Sequence, residues 1–248
     1  MPDPGPIPAS LNFLLLQVRN PGDPMRDHEQ LAFTRALEVD SDRCTTLDLL
    51  TESLSTTHLE TADVVLLGGS GDYSAAGEGP WLDRALDALR ELVASRQPTF
   101  ASCWGCQAMA RAMGGTVVNN LDTAEVGTHQ LFVTTAGRKD PLFGSLGQSF
   151  LAQMGHEDCV SVLPDNATLL AFSQRNTHQA YRINDTPIYC TQFHPELTRE
   201  DLQLRVEAYP QYIERIAGMP AGEFIATLEE TPGASSLLRL FVDTVFAG

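Results

Sequence analysis

The run Val64-Val65-Leu66-Leu67 is apolar at every position and stops at Gly68-Gly69-Ser70-Gly71-Asp72. A strand with one wet face alternates polar and apolar residues. An unbroken run that opens into glycines therefore predicts an interior strand of a parallel sheet, covered on both faces and ending in a working loop. Leu11 to Val18 has the same texture and closes at Asn20-Pro21-Gly22-Asp23-Pro24, and Thr99 to Ser102 is a third, brief strand. Asp27 to Leu37 sets Leu31, Ala32, Ala36 and Leu37 near one helical face, Thr45 to Leu49 reads as the next strand, and Trp81 to Val93 has helical spacing. This β-α-β opening predicts an α/β fold.

After Gly115 the texture changes to shorter strand-like pieces at Thr116 to Asn119, Gln130 to Thr134, Val160 to Leu163, Leu169 to Ser173, Gln179 to Ile183 and Ile188 to Gln192. Asn184 and Asp185 mark a hairpin turn between the last two. Helical character returns at Thr198, a candidate N-cap followed by Glu200 and Asp201, and Pro210 should break that helix. Two further helical patterns fill Ala221 to Phe246, separated by Thr231-Pro232-Gly233. The 248 residues suit one large domain, with a core over about residues 11–197 and a helical C-terminal extension over about 198–248.

A net charge of −16 and the lack of any Lys/Arg cluster argue against nucleic-acid binding. The start lacks a positive n-region and Leu11 to Leu16 is too short for a membrane span, so no membrane partner and a cytoplasmic location are expected. Five scattered cysteines, an odd number, read as free thiols rather than a disulfide framework.

One of those thiols lies in Ala101-Ser102-Cys103-Trp104-Gly105-Cys106-Gln107, at the junction between the strand ending at Ser102 and a helix over Gly105 to Met113. A sharp strand-to-helix turn exposes Cys103, and the helix N-terminus favours its thiolate. Alone, the segment also reads as a buried structural cysteine. Gln192-Phe193-His194-Pro195-Glu196 closes another strand, so His194 can act as base toward Cys103 while Glu196 fixes the imidazole tautomer; an ordinary surface histidine is the competing reading. The glycines of Gly68 to Gly71 leave N–H groups for a developing oxyanion, although a phosphate loop or a plain turn has similar composition. Cys103 and Cys106 also form C-x-x-C, but no second pair completes a zinc site. No cofactor or metal is expected. His28, His58, His129 and His178 carry no paired motif.

A glycine-rich loop, a cysteine elbow ending in Gln107 and a terminal His-Pro-Glu, in that order, resemble the class I glutamine amidotransferase domain over Leu67 to Glu196. The resemblance implies a doubly wound, flavodoxin-like, mostly parallel sheet flanked by helices and a γ-glutamyl thioester on Cys103. It implies oxyanion N–H groups from Gly69 and Trp104, and substrate contacts from Gln107 and from Gly155-His156-Glu157-Asp158. Glu125 with Gly127 is similar to a family stretch of structural character. Three residues depart from the family: Ala101 for a glycine before the elbow, Cys106 for a common histidine, and Glu157 for a small residue. A carboxylate at Glu157 bears on which γ-glutamyl compound fits.

The chain has no room for a fused acceptor domain, so the expected activity is that of a stand-alone glutamine amidotransferase or glutaminase, and the expected partner is a separate synthase subunit. Plant γ-glutamyl peptidases resemble the same architecture and give a second expectation, hydrolysis of γ-glutamyl peptides. A noncatalytic ligand- or partner-binding member of the fold is the third.

Overall fold

The computed structural model describes residues 7–246. Its first half alternates strand and helix: β1 (Phe13–Val18), α1 (Met25–Leu37), β2 (Cys44–Asp48), α2 (Thr56–Thr61), β3 (Val64–Ser70), α3 (Pro80–Ser95), β4 (Thr99–Ser102) and α4 (Trp104–Ala112). Strands dominate next, with β5 (Thr116–Asn119), β6 (Glu125–Val133), β7 (Ser149–His156), β8 (Asp158–Val162), β9 (Ala167–Phe172), β10 (Ala180–Ile183) and β11 (Ile188–Thr191). The chain ends in α5 (Arg199–Ala208), α6 (Pro210–Ala217), α7 (Ala221–Ile225) and α8 (Pro232–Val245).

Nine strands form one sheet in the order β2-β1-β3-β4-β11-β10-β9-β6-β7, and β5 pairs with β8 apart from it. The pairings from β2 to β11 are parallel, and those from β11 to β7 antiparallel. Residues of β1 alternate between two cores. Phe13 and Leu15 cluster with Phe33 and Leu37 of α1 and with Leu237 and Phe241 of α8. Leu14 and Leu16 cluster with Leu82 and Leu89 of α3 and Met109 of α4. Helices cover both faces, which is why β1 and β3 are apolar without alternation. Each fully buried Leu or Phe contributes roughly 1.5–3 kcal/mol of transfer free energy, so these two layers are the main support of the sheet.

The helical C-terminal segment does two things. Helix α8 returns into the core that holds Phe13 and Leu15, whereas Leu202 and Val206 of α5, Ile213 of α6 and Phe224 of α7 build a third cluster with Ala32, Val126 and Leu197. Thr198 caps α5: its Oγ1 accepts from the Asp201 N–H at 3.2 Å while Asp201 Oδ2 accepts from the Thr198 N–H at 2.8 Å. Pro210 separates α5 from α6, and Pro232 starts α8 at its first turn, where a missing N–H is harmless.

Three elements depart from the sequence reading. Strand β7 was not anticipated, because Gln153 breaks its apolar pattern. The residue is nonetheless fully buried, with Oε1 accepting from Thr128 Oγ1 at 3.0 Å and Nε2 donating to the Glu229 carbonyl at 2.8 Å. Strand β6 begins at Glu125 rather than Gln130, for the related reason that buried Glu125 is satisfied by tertiary partners. The short helix α2 was also missed. Among the described residues no helix is long and apolar enough to cross a membrane.

Candidate active site

Strands β3, β4 and β11 lie side by side and parallel, with Leu67 beside Ala101 and Ser102 beside Thr191. Their carboxyl ends therefore open on one edge, the edge where ligands bind in sheets of this kind. The topology delivers the glycine loop, Cys103 and the His194 segment to one crevice.

Cys103 is the N-cap of α4 and has φ 51° and ψ −108°. That backbone is strained for a residue with a side chain, and surrounding structure must hold it. Its N–H donates to the Thr191 carbonyl at 2.8 Å. Trp104 stacks on Trp81 with ring centroids 6.1 Å apart, and Tyr73 meets Trp81 edge-on at 5.1 Å. Gly105 is required for close packing, since a Cβ there would lie 2.5 Å from Leu67 Cβ and 3.3 Å from Ala101 Cβ. Cys103 is 7% exposed as a residue, and its Sγ lies 3.7 Å from the Gly155 carbonyl oxygen. As a first-turn residue, Trp104 has an N–H with no intrahelical partner.

His194 and Glu196 are both buried, and His194 Nδ1 sits 2.6 Å from Glu196 Oε1. This engages Nδ1 and leaves Nε2 as the nitrogen that can serve the Cys103 sulfur, which lines the same cavity. Burial alone would lower the histidine's pKa, but the Glu196 carboxylate and the Cys103 sulfur outweigh it and raise the value to about 9. Glu196 is held below the usual carboxylate range in spite of burial, chiefly by His194 and then by Arg205. An imidazolium stabilised from both sides is the state a thiolate nucleophile needs.

The glycine loop departs from expectation. The Gly69 N–H is not left free for an oxyanion: it donates to Glu29 Oε1 at 3.0 Å. Glu29 is fully buried and also takes Arg19 Nη2 at 3.1 Å and Gln17 Nε2 at 3.1 Å. Gly68 is glycine because a Cβ would lie 2.3 Å from the Glu29 carboxylate. Arg205 of α5 spans this cluster and the histidine pair. Its Nη1 lies 3.4 Å from His194 Nδ1, and its Nη2 lies 3.9 Å from both Glu29 Oε1 and Glu196 Oε1. One cation is thereby shared between two buried carboxylates.

A cavity of about 410 Å³ opens over Cys103 and His194, and Gly69, Trp104, Gln107, Gly155, His156 and Glu157 all reach its lining. The contacts differ. Gln107 Nε2 donates to the Asp158 carbonyl at 2.8 Å and to Gln192 Oε1 at 3.2 Å. Both ring nitrogens of His156 are engaged, Nδ1 with the Asp158 carbonyl at 3.0 Å and Nε2 with Glu125 Oε2 at 3.2 Å, so its imidazole has none left for a ligand. Glu157 turns to Arg215 of α6, with 2.9 Å between Oε2 and Nη2.

Sequence reasoning missed Arg19, Glu29, Arg205 and Arg215. Arg19 follows directly on β1 at the same sheet edge, so its position was a usable signal. Glu29, Arg205 and Arg215 lie on helices and have no local signature, since only the packing of α1, α5 and α6 brings them in.

The family model described as glutamine amidotransferase class-I matches residues 31–206. The chain is 29% identical over 190 residues to a glutamine-hydrolyzing GMP synthase subunit of Methanothermobacter thermautotrophicus, covering 76% of this chain and 92% of that protein. It is 29% identical over 149 residues to gamma-glutamyl peptidase 3 of Arabidopsis thaliana, covering 58% of each. It spans only 20 to 29% of the length of the longer GMP synthases it matches. A solved glutamine amidotransferase from Thermotoga maritima superimposes with a TM-score of 0.76 at 20% identity, covering 95% of this chain and 97% of that one, a likeness of fold.

Proposed function

The chain belongs to the class-I glutamine amidotransferase family, and from that premise we propose that it takes the γ-glutamyl group of glutamine onto Cys103, releases ammonia and hydrolyses the thioester. The observation that carries this reading is the buried His194–Glu196 pair opening on the same cavity as Cys103 at one sheet edge.

Cys103 Sγ attacks the γ-carbonyl carbon as a thiolate, and the Trp104 N–H faces the oxygen as it becomes negative. The C–N bond then breaks as the His194 imidazolium passes its proton to the departing nitrogen. Water, losing a proton to His194, attacks the thioester, and glutamate leaves with Cys103 restored. Glu196 holds the imidazole tautomer and stabilises its cation. The Gly69 N–H joins the oxyanion only after Glu29 releases it. Gln107, Gly155 and Glu157 border the glutamyl group, and His156 acts through its backbone.

The relatives named as GMP synthase subunits support delivery of the ammonia to a separate synthase subunit. A second reading, γ-glutamyl peptide hydrolysis, is favoured by a specific observation: α5 and α6 wall a cavity larger than glutamine's few non-hydrogen atoms require.

The test is intact-mass analysis after exposure to 6-diazo-5-oxo-norleucine, a glutamine-mimicking electrophile, with Cys103→Ser alongside. A single adduct on the wild type and none on the variant is expected. A wild-type protein that stays unmodified while releasing ammonia from glutamine would refute the Cys103 route.

A further inference from the structure

We propose that Glu29 and Arg205 are positioning residues that assemble the oxyanion site: as the substrate oxygen arrives, Glu29 passes from the Gly69 N–H to Arg205, and the freed N–H turns to that oxygen. The inference rests on the Cys103 thioester reading and specifies how its second oxyanion donor is supplied.

Gly69 borders the nucleophile, since a Cβ there would lie 3.1 Å from His194 Cε1 and 3.7 Å from Cys103 Sγ. Its N–H nonetheless donates at 3.0 Å to Glu29 Oε1, which belongs to a fully buried side chain behind the cavity lining. A buried amide without an acceptor costs about 1–3 kcal/mol. With no oxygen in the site, Glu29 therefore keeps the N–H. Its carboxylate there also opposes negative charge developing nearby, so the N–H and the carboxylate have to part before the donor can serve an oxyanion. Glycine at both 68 and 69 lets the peptide between them turn at little steric cost.

Arg205 provides the place to which Glu29 moves. Glu29 Oε1 already accepts from Arg19 Nη2 at 3.1 Å, and Arg205 Nη2 stands 3.9 Å from the same oxygen. Arg205 Nη2 and Nε are buried, and among the described residues neither has a hydrogen-bond partner. Nη1 lies 3.4 Å from His194 Nδ1, a nitrogen already engaged by Glu196. Idle guanidinium donors inside a protein are costly. A shift of about 1 Å would bring Nη2 to the length of a charge-assisted bond. Glu29 would then trade an amide N–H for a guanidinium N–H, keep Arg19 and Gln17, and remain buried. The trade satisfies Arg205 and leaves the Gly69 N–H as the one group in need of an acceptor, which the substrate oxygen supplies. The oxyanion site is thus complete only when it is occupied.

The Gly69 N–H can be observed directly. The sequence has two Gly-Gly pairs, Gly68-Gly69 and Gly114-Gly115, so glycine labelled with carbonyl carbon-13 and amide nitrogen-15 isolates two amide signals by NMR, and the second serves as a control. The probe is the γ-aldehyde of glutamate: Cys103 adds to its carbonyl carbon, and the aldehyde oxygen becomes the tetrahedral oxygen. In the free protein Glu29→Gln should move the Gly69 signal and leave Gly115 in place. In the aldehyde adduct the Gly69 signal should shift, and its response to Glu29→Gln should be lost. In Arg205→Met, which has nowhere to send Glu29, the response to Glu29→Gln should persist in the adduct. An adduct whose Gly69 signal is unmoved from the free protein overturns the exchange even without any variant. A wild-type adduct in which Gly69 still responds to Glu29→Gln, or an Arg205→Met adduct in which it does not, also overturns it. In each case the thioester reading stands, because intact mass shows the adduct on Cys103. If no adduct forms with the aldehyde and glutamine is not hydrolysed, the thioester reading falls and the exchange with it.

Discussion

The two sides of the cleft are held in different ways. On the sheet side, Cys103 and the His194 segment are fixed by parallel ladders and two apolar cores, and the elbow tolerates no added atom at Gly105. On the helical side, α5 and α6 rest on one smaller apolar cluster and on polar clamps: Asp201 with His28 and Arg35, Tyr209 with Asp23 at 2.7 Å, and Arg215 with Glu157. Close packing fixes reacting atoms to fractions of an ångström, which attack on a carbonyl demands. Clamps of ions and hydrogen bonds hold a wall whose shape can vary without moving the nucleophile. The difference predicts that substitutions on the sheet side act on rate and those on the helical side on binding.

The largest effect should come from the sheet side. Cys103→Ser is expected to lower kcat by about 10⁴-fold or more with an unchanged melting temperature, because the hydroxyl is a far poorer nucleophile in an otherwise equal space. Steady-state ammonia release and a thermal melt check this. A large fall in stability would mean that the thiol is also a packing element.

Arg205 is the residue that breaks the division, since it belongs to α5 and touches the histidine pair. Removing its charge in Arg205→Met leaves Glu29 and Glu196 as neighbouring buried carboxylates. Glu196 then becomes harder to ionise, so the acid limb of the pH–rate profile should move to higher pH, with about a tenfold loss of kcat at neutral pH. Arg205→Lys should return the limb part of the way. An unmoved limb would confine α5 to the wall alone.

The legibility of the molecule follows the same line. β1, β3 and the elbow were readable because burial on both faces writes mainly apolar runs, and because a strained turn at Cys103 demands a small neighbour at 105. Thr198 and Pro210 were readable as local chemistry. What could not be read was polar and buried at once: Gln153 in β7, Glu125 at the head of β6, and Glu29 beneath the glycine loop. Each is satisfied by a partner distant in sequence, so no window of neighbouring residues records it. The occupation of the Gly69 N–H by Glu29 belongs to this class, and the glycine pattern gave no warning of it.

On the helical side, Asp201→Ala should cost about 2 kcal/mol of stability by removing a helix cap and leaving His28 and Arg35 unpaired. Burial would raise the Asp201 pKa, but His28, Thr198 and Arg35 outweigh it and hold it well below the usual carboxylate range. A depressed folded-state pKa contributes stability above the unfolded value that is lost as pH falls through the folded one. The wild type should therefore lose part of its stability in strong acid, and Asp201→Ala should lose less there, as denaturant titrations across pH would reveal. Its kcat should change less than its KM, because the wall loosens while the elbow stays.

The smallest effect lies at the opposite end of the pH scale and tests the sheet side. His194 is raised from 6.5 to about 9, so its contribution to stability is complete below 6.5 and is lost as pH rises through about 9. Part of that rise comes from the Cys103 sulfur. In Cys103→Ser the sulfur's share disappears, so the alkaline decline should begin at lower pH than in the wild type, while the acid behaviour set by Asp201 should be unaltered. Urea midpoints between pH 6 and 10 for the two proteins make the measurement. Coincident alkaline curves would show that Glu196 alone holds the imidazolium, and the sheet side would then depend on one carboxylate rather than on the thiolate pair.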